Sequence, residues 1–207
     1  KQELLRVVSA KQSQTHKISL STSTIMTDSL ADNAQPIVPQ DELIQHTDED
    51  TPTYTLAIAI EFLGTHYYGW QRQKEVLGVQ QVLEAAISKV ANETVEVVAA
   101  GRTDSGVHAS NMVAHFVTRA YRPTRNWLRG VNSLLPDDIA LRWIQPMPSD
   151  FHARFKAIAR RYRYITLNQD TRPAILNHQV THIHQPLDLA AMQKAAADIV
   201  GTHDFTS

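Results

Sequence analysis

Apolar and polar positions fall into a regular rhythm from Tyr54 onward. Leu56, Ile58 and Ile60 alternate with Ala57, Ala59 and Glu61, a period of two that predicts a strand with one strongly apolar face. After Gly78 the period lengthens: Val79, Val82, Leu83, Ala86, Ile87 and Val90 fall on a single helical stripe. Residues 94–100 and 112–118 are β-rich runs and predict two more strands. Residues 124–135 predict a second helix that turns Trp127, Leu128, Val131 and Leu135 to the core. Pro136-Asp137-Asp138 stops it, and alternation resumes over residues 139–144.

The predicted order is β-α-β-β-α-β, the split βαβ or ferredoxin-like arrangement of the α+β class. Such an antiparallel sheet buries one face beneath its two helices and leaves the other available. A further strand over residues 160–167 alternates Tyr162 and Tyr164 with Arg161, Arg163 and Ile165. A helix over residues 187–200 ends at Gly201, a suitable C′ residue. The chain then stops at Asp204-Phe205-Thr206-Ser207 with no closure of a second unit, and it starts with Lys, so a fragment is expected at both ends. Residues 1–50 contain no glycine and show no sustained periodicity, which predicts a mostly disordered extension with a short helix at residues 2–9. The expected division is therefore 1–50 as extension, 51–150 as the first ferredoxin-like half, and 151–207 as the start of a second, similar half.

At 43% hydrophobic and 20% charged, the composition is that of a globular protein and excludes a fibrous or wholly disordered chain. No run approaches the roughly 18 consecutive apolar residues of a membrane span, and residues 1–14 lack a secretory h-region or a transit-peptide bias. The default compartment is cytoplasmic. Zero cysteines exclude disulfides and thiolate chemistry. The net charge of −1 conceals an asymmetry: residues 119–163 hold ten basic residues against Asp137, Asp138 and Asp150. That local excess suits a polyanion such as RNA, and equally an ordinary solvated surface.

Gly101 and Gly106 bracket a loop between two predicted strands, where glycine permits unusual dihedrals. Its glycine spacing superficially matches a phosphate loop, but Val107 and His108 stand where Lys and Ser/Thr are required, and Asp104 would oppose phosphate charge. Asp104 is ionised at neutral pH without help from a base. Arg102, two residues away, can supply the countercharge that keeps it ionised when substrate excludes water. An Asp turn held by its own side-chain bonds satisfies the same spacing.

The segment Gly101-Arg102-Thr103-Asp104-Ser105-Gly106-Val107-His108-Ala109 closely resembles the active-site signature of TruA-type tRNA pseudouridine synthases. Five more segments resemble that family in order. They are Tyr68-Gly69-Trp70-Gln71-Arg72-Gln73, Val131-Asn132-Ser133-Leu134-Leu135-Pro136, Phe151-His152-Ala153-Arg154-Phe155, Arg161-Tyr162-Arg163-Tyr164-Ile165 and Asp204-Phe205-Thr206-Ser207. The resemblance implies an isomerase that converts uridine to pseudouridine at positions 38 to 40 of the tRNA anticodon arm, without metal or other cofactor, as a homodimer. It implies that Asp104 is the nucleophile, that Arg102 engages the flipped nucleotide and orders the site, and that Tyr162 packs against the target uracil. Arg154, Trp70 and Arg72 match family segments, with packing and RNA-backbone roles both open.

Two other classes fit parts of the pattern. A non-catalytic RNA-recognition module shares the sheet, but Asn111-Met112-Val113-Ala114-His115-Phe116-Val117 carries one aromatic where that module's strand is aromatic-rich. A nucleoside or glycoside hydrolase would use two carboxylates, and Asp137-Asp138 read as a helix-stop turn. Among ten histidines, His182 and His184 would share a strand face near His178, with no metal-binding spacing around them.

Overall fold

The computed structural model describes residues 52–204 and, ahead of them, the backbone of three strand segments: β1 (Val8–Gln12), β2 (Ile18–Thr22) and β3 (Ile44–Gln45). The chain divides into two compact units, residues 34–156 and a second built from residues 1–33 and 157–207.

The first unit is a mixed α+β layer pair. Its elements run β4 (Thr53–Phe62), α1 (Val79–Ala91), β5 (Val98–Ala99), β6 (Ala109–Thr118), α2 (Thr124–Asn132) and β7 (Ile139–Met147). All pairings are antiparallel, and β4 lies between β7 and β6, with β5 beyond β6; β3 adds a two-residue pairing to the start of β4. The pleat of β4 sends Leu56, Ile58, Ile60 and Phe62 to one face. There they meet Val79, Leu83, Ala86 and Ile87 of α1, Trp127 and Val131 of α2, and Phe116 and Leu141 from neighbouring strands. Fully burying each large apolar side chain is worth roughly 1.5–3 kcal/mol, so this layer drives the fold. Phe116 and Trp127 meet edge to face at 5.4 Å, tying α2 to β6.

Several expectations from the sequence need correction. The sheet's second face is not left open: Ala57 and Ala59 are buried as deeply as the core, and His115 is buried beside them. Over His115 lie the rings of Phe151 and His152, and the Ala153 N–H donates to its Nδ1 at 3.2 Å. The β-rich run 94–100 forms a ladder only at Val98–Ala99. Upstream, the Val95 and Val97 amides donate instead to Ser88 Oγ and Glu84 Oε1 of α1, so side chains take the place of a strand partner. Helix α2 ends at Asn132 rather than 135, where Ser133 N–H closes on the Arg129 carbonyl at 3.0 Å and Leu134 N–H on that of Val131.

In the second unit, β1 pairs with β2 and with β8 (Arg160–Tyr164), placing Ala10 opposite Tyr162. Strand β9 (Thr166–Asn168) pairs in parallel with β10 (Thr181–Ile183), so the single strand expected over 160–167 is two. Helix α3 (Leu189–Asp198) starts on an Asp188 side-chain cap that accepts from Ala191 N–H. Strands β1, β2 and β3 fall where the sequence suggested a disordered extension. The helix expected at residues 2–9 lies outside the described residues except at Val8 and Ser9, which are in β1. Phe205, Thr206 and Ser207 lie outside them as well.

Candidate active site

The loop between β5 and β6 is held almost wholly through its backbone. Its partner is the segment following β4, residues 63–70, which lies against it. Trp70 N–H donates to the Thr103 carbonyl at 3.0 Å, and Gly106 N–H to the Tyr67 carbonyl at 3.2 Å. Gly64 N–H donates to His108 Nδ1 at 2.8 Å, which requires that nitrogen to be unprotonated. Within the loop, Val107 N–H returns to the Asp104 carbonyl at 3.2 Å, closing a tight turn with Gly106 at φ +78°.

Glycine is what lets the two segments meet. A Cβ on Gly64 would stand 2.1 Å from the Val107 carbonyl oxygen, and one on Gly69 (φ +85°) would stand 2.6 Å from that of Thr103. Five of the seven glycines in the chain fall between residues 64 and 106, a clustering that marks close backbone approach more sharply than Gly101 and Gly106 do alone.

On this fixed backbone, the Asp104 and Arg102 side chains are exposed. Among the described residues neither makes a hydrogen bond or an ion pair, so the contact expected between them from proximity is not formed. Thr103 Oγ1, between them, is buried with no hydrogen-bond partner.

The other singled-out residues divide clearly. Trp70 is buried in the core, its ring 6.2 Å from that of Phe62, which assigns it to packing. Arg72 pairs with the buried Glu84 at 3.0 Å, and Glu84 also accepts from Gln80 and from Val97 N–H. Arg72 therefore has a structural partner, whereas Arg154 is exposed with no ion pair among the described residues. Tyr162, on β8 of the second unit, is 40% exposed. His182 Nε2 is taken by the Gln169 carbonyl at 2.8 Å. No group of three His, Asp or Glu side chains suited to a metal occurs among the described residues, and none of their helices is long and apolar enough to cross a membrane.

Two residues near the loop were not picked out from the sequence as part of the site. Tyr67, 5% exposed, donates its hydroxyl to Asp138 Oδ1 at 2.7 Å, and the Asp138 carbonyl accepts Leu63 N–H at 2.9 Å. Burial first, then the hydrogen bond and charge of Asp138, push the Tyr67 phenol above its usual range. Asp138 read as part of a helix-stop turn, and nothing local in the sequence joins it to Tyr67, 71 residues earlier.

Residues 58–156, which include this whole loop and its cradle, match the model of a family described as tRNA pseudouridine synthase. The chain is 56% identical over 159 residues to the tRNA pseudouridine synthase A of Klebsiella pneumoniae (strain 342), covering 77% of this chain and 59% of that protein. Identity and coverage are the same for the protein of that name from Citrobacter koseri, and identity is 54%, with the same coverage, for that of Escherichia coli O1:K1. The chain thus spans about three fifths of the length of the curated relatives it matches.

Proposed function

The chain belongs, through residues 58–156, to the TruA-type tRNA pseudouridine synthase family, and on that premise we propose that the full-length protein isomerises uridine to pseudouridine in tRNA with Asp104 as nucleophile. The observation that carries this reading is a carboxylate with no partner among the described residues, on a loop held by backbone hydrogen bonds and by the His108 side chain. The carboxylate is exposed, so a ligand can reach it, and its main chain is held in position.

The reaction needs only what such a group provides. The N1–C1′ bond of the nucleotide breaks, the base turns, and C5 bonds to C1′. The proton leaving C5 is balanced by one gained at N1, so no atom is added or lost. The Asp104 carboxylate can attack C1′ or add at C6, and both routes release it unchanged. Neither calls on a metal or redox group. Arg102, exposed two residues away, would meet the phosphate or base of a nucleotide turned out of its stack, a step that costs a few kcal/mol. Tyr162 would offset part of that cost by stacking, worth about 1–3 kcal/mol per base.

The finer reading is that the substrate is the anticodon arm at positions 38 to 40, that the protein acts as a cytoplasmic homodimer, and that the first unit is the ferredoxin-like half of a two-half enzyme. The strand order β7–β4–β6–β5 with two helices on one face supports the last point. The test is direct. Unmodified tRNA is incubated with full-length protein, and pseudouridine is mapped by carbodiimide adducts. Pseudouridine in the anticodon arm, lost with Asp104→Asn while tRNA still binds, is the expected result. Wild-type turnover by that variant would overturn the nucleophile assignment, and free uracil would replace isomerisation with hydrolysis.

A further inference from the structure

The two residues that follow Asp104 are both bonded to one neighbouring residue. The Tyr67 carbonyl accepts Gly106 N–H at 3.2 Å and Ser105 Oγ–H at 3.4 Å, so both residues after Asp104 are bonded to it. Tyr67 is itself fixed at its far end, where its hydroxyl donates to Asp138 at 2.7 Å. Asp138 directly precedes β7, and its carbonyl also holds Leu63 N–H at 2.9 Å. Segment 63–67 is thus fastened at both ends to one aspartate, and the turn is fastened to that segment.

We propose that Tyr67 and Asp138 are a positioning pair, which sets the Asp104 turn through the Tyr67 carbonyl and so aligns the carboxylate with the reacting atoms. The role rests on the reading of Asp104 as nucleophile. The Tyr67 hydroxyl is protonated at neutral pH, as a phenol ordinarily is, and so remains the donor to Asp138. Neither residue meets RNA in this role. A carboxylate displaced by a fraction of an ångström would still sit beside bound substrate and react slowly.

In full-length protein, Tyr67→Phe is expected to lower kcat for pseudouridine formation about 10- to 100-fold while KM for tRNA stays within roughly two-fold. Asp138→Asn keeps a carbonyl acceptor for the phenol and is expected to recover most of the rate that Asp138→Ala loses. Because the pair acts as a unit, Tyr67→Phe combined with Asp138→Ala is expected to be no slower than the slower single variant. Amide hydrogen exchange at Gly106 reports the clamp without any catalysis: it is expected to accelerate in Tyr67→Phe and to stay unchanged in Asp104→Asn. Unchanged exchange at Gly106, additive rate losses, or a loss carried by KM overturns the pair. A wild-type protein that forms no pseudouridine overturns the isomerase reading instead, and the exchange measurement then decides the pair by itself.

Discussion

Two acidic residues of the first unit each have an arginine close in sequence, and the fold treats them in opposite ways. Glu84 lies on α1, buried, with Arg72, Gln80 and the Val97 amide all bonded to its two oxygens. Asp104 lies two residues from Arg102, exposed, and its carboxylate has no partner among the described residues. The twelve-residue separation makes the pair and the two-residue separation does not. A helix and a returning loop bring Arg72 over Glu84, whereas closeness in sequence alone does not bond Arg102 to Asp104. On the proposed reading, the bonded acid is the structural one and the unbonded acid the reactive one. Glu84 is consumed in joining the 70–73 segment to the chain entering the loop, and Asp104 is left available.

The sharpest break of that contrast is Asp104→Asn. The substitution keeps size and removes the charge from a side chain that makes no bond among the described residues, so stability is expected to change by less than about 0.5 kcal/mol. Pseudouridine formation is expected to fall by at least about 10³-fold, as for loss of a nucleophile in other enzymes. Thermal unfolding and turnover on the same preparation check both halves. A variant that unfolds many degrees early would move Asp104 into the class of Glu84.

Glu84→Ala is the mirror experiment. It leaves the buried Val97 N–H without an acceptor and Gln80 without one of its partners, and an unmet buried donor costs about 1–3 kcal/mol. A loss of roughly 2–4 kcal/mol is expected by denaturant unfolding. Arg72→Ala is expected to cost about 1 kcal/mol or less, because its side chain is 53% exposed and water replaces the lost partner. Equal losses from the two would mean that the ion pair, and not the Val97 bond, is what Glu84 supplies.

How far these roles were legible follows from the range of the forces involved. The alternation at Leu56, Ile58 and Ile60 and the stripe from Val79 to Val90 are local periodicities, and the antiparallel sheet and both helices appear where they predict. The 94–97 stretch departs from its β-rich pattern because Glu84 and Ser88 of α1 take its amides. The covering of His115 by Phe151 and His152 was invisible for the same reason. Asp104 stood out through its glycine-bounded loop and its resemblance to a family signature. The partners that hold that loop did not, since backbone bonds such as Trp70 to Thr103 leave no side-chain trace. The glycines record the close approach, and His108, whose Nδ1 takes the Gly64 amide, records one further bond.

That trace supplies a smaller test of whether backbone alone holds the free carboxylate. Gly69 and Gly106 both have positive φ, +85° and +78°, but only Gly69 faces a backbone oxygen; a Cβ on Gly106 meets nothing within 4 Å. Gly69→Ala is expected to cost about 1–3 kcal/mol and to slow turnover, since the Thr103 carbonyl must move. Gly106→Ala meets only the left-handed penalty of roughly 1–2 kcal/mol. If Gly106→Ala is the slower enzyme, turn dihedrals matter more to Asp104 than the cradle does.

The smallest effect extends the contrast to a base on the far face of the sheet. His115 is committed as Glu84 is: its Nδ1 accepts from Ala153 N–H, and the ring lies 4.8 Å from His152. Burial first, then the charge of His152, hold its pKa below the usual 6.5, opposed by a backbone hydrogen bond at Val98. Below pH 6.5 the unfolded chain therefore takes up the proton before the folded one does. The stability that the neutral ring contributes is present above that pH and is lost as pH falls toward the folded value. Unfolding free energy measured from pH 8 to pH 5 is expected to fall less steeply in His115→Gln, which has no proton to gain, than in wild type. Parallel curves would show that His115 is free to titrate in the fold, as an open side chain would be, and that the Ala153 bond does not commit it.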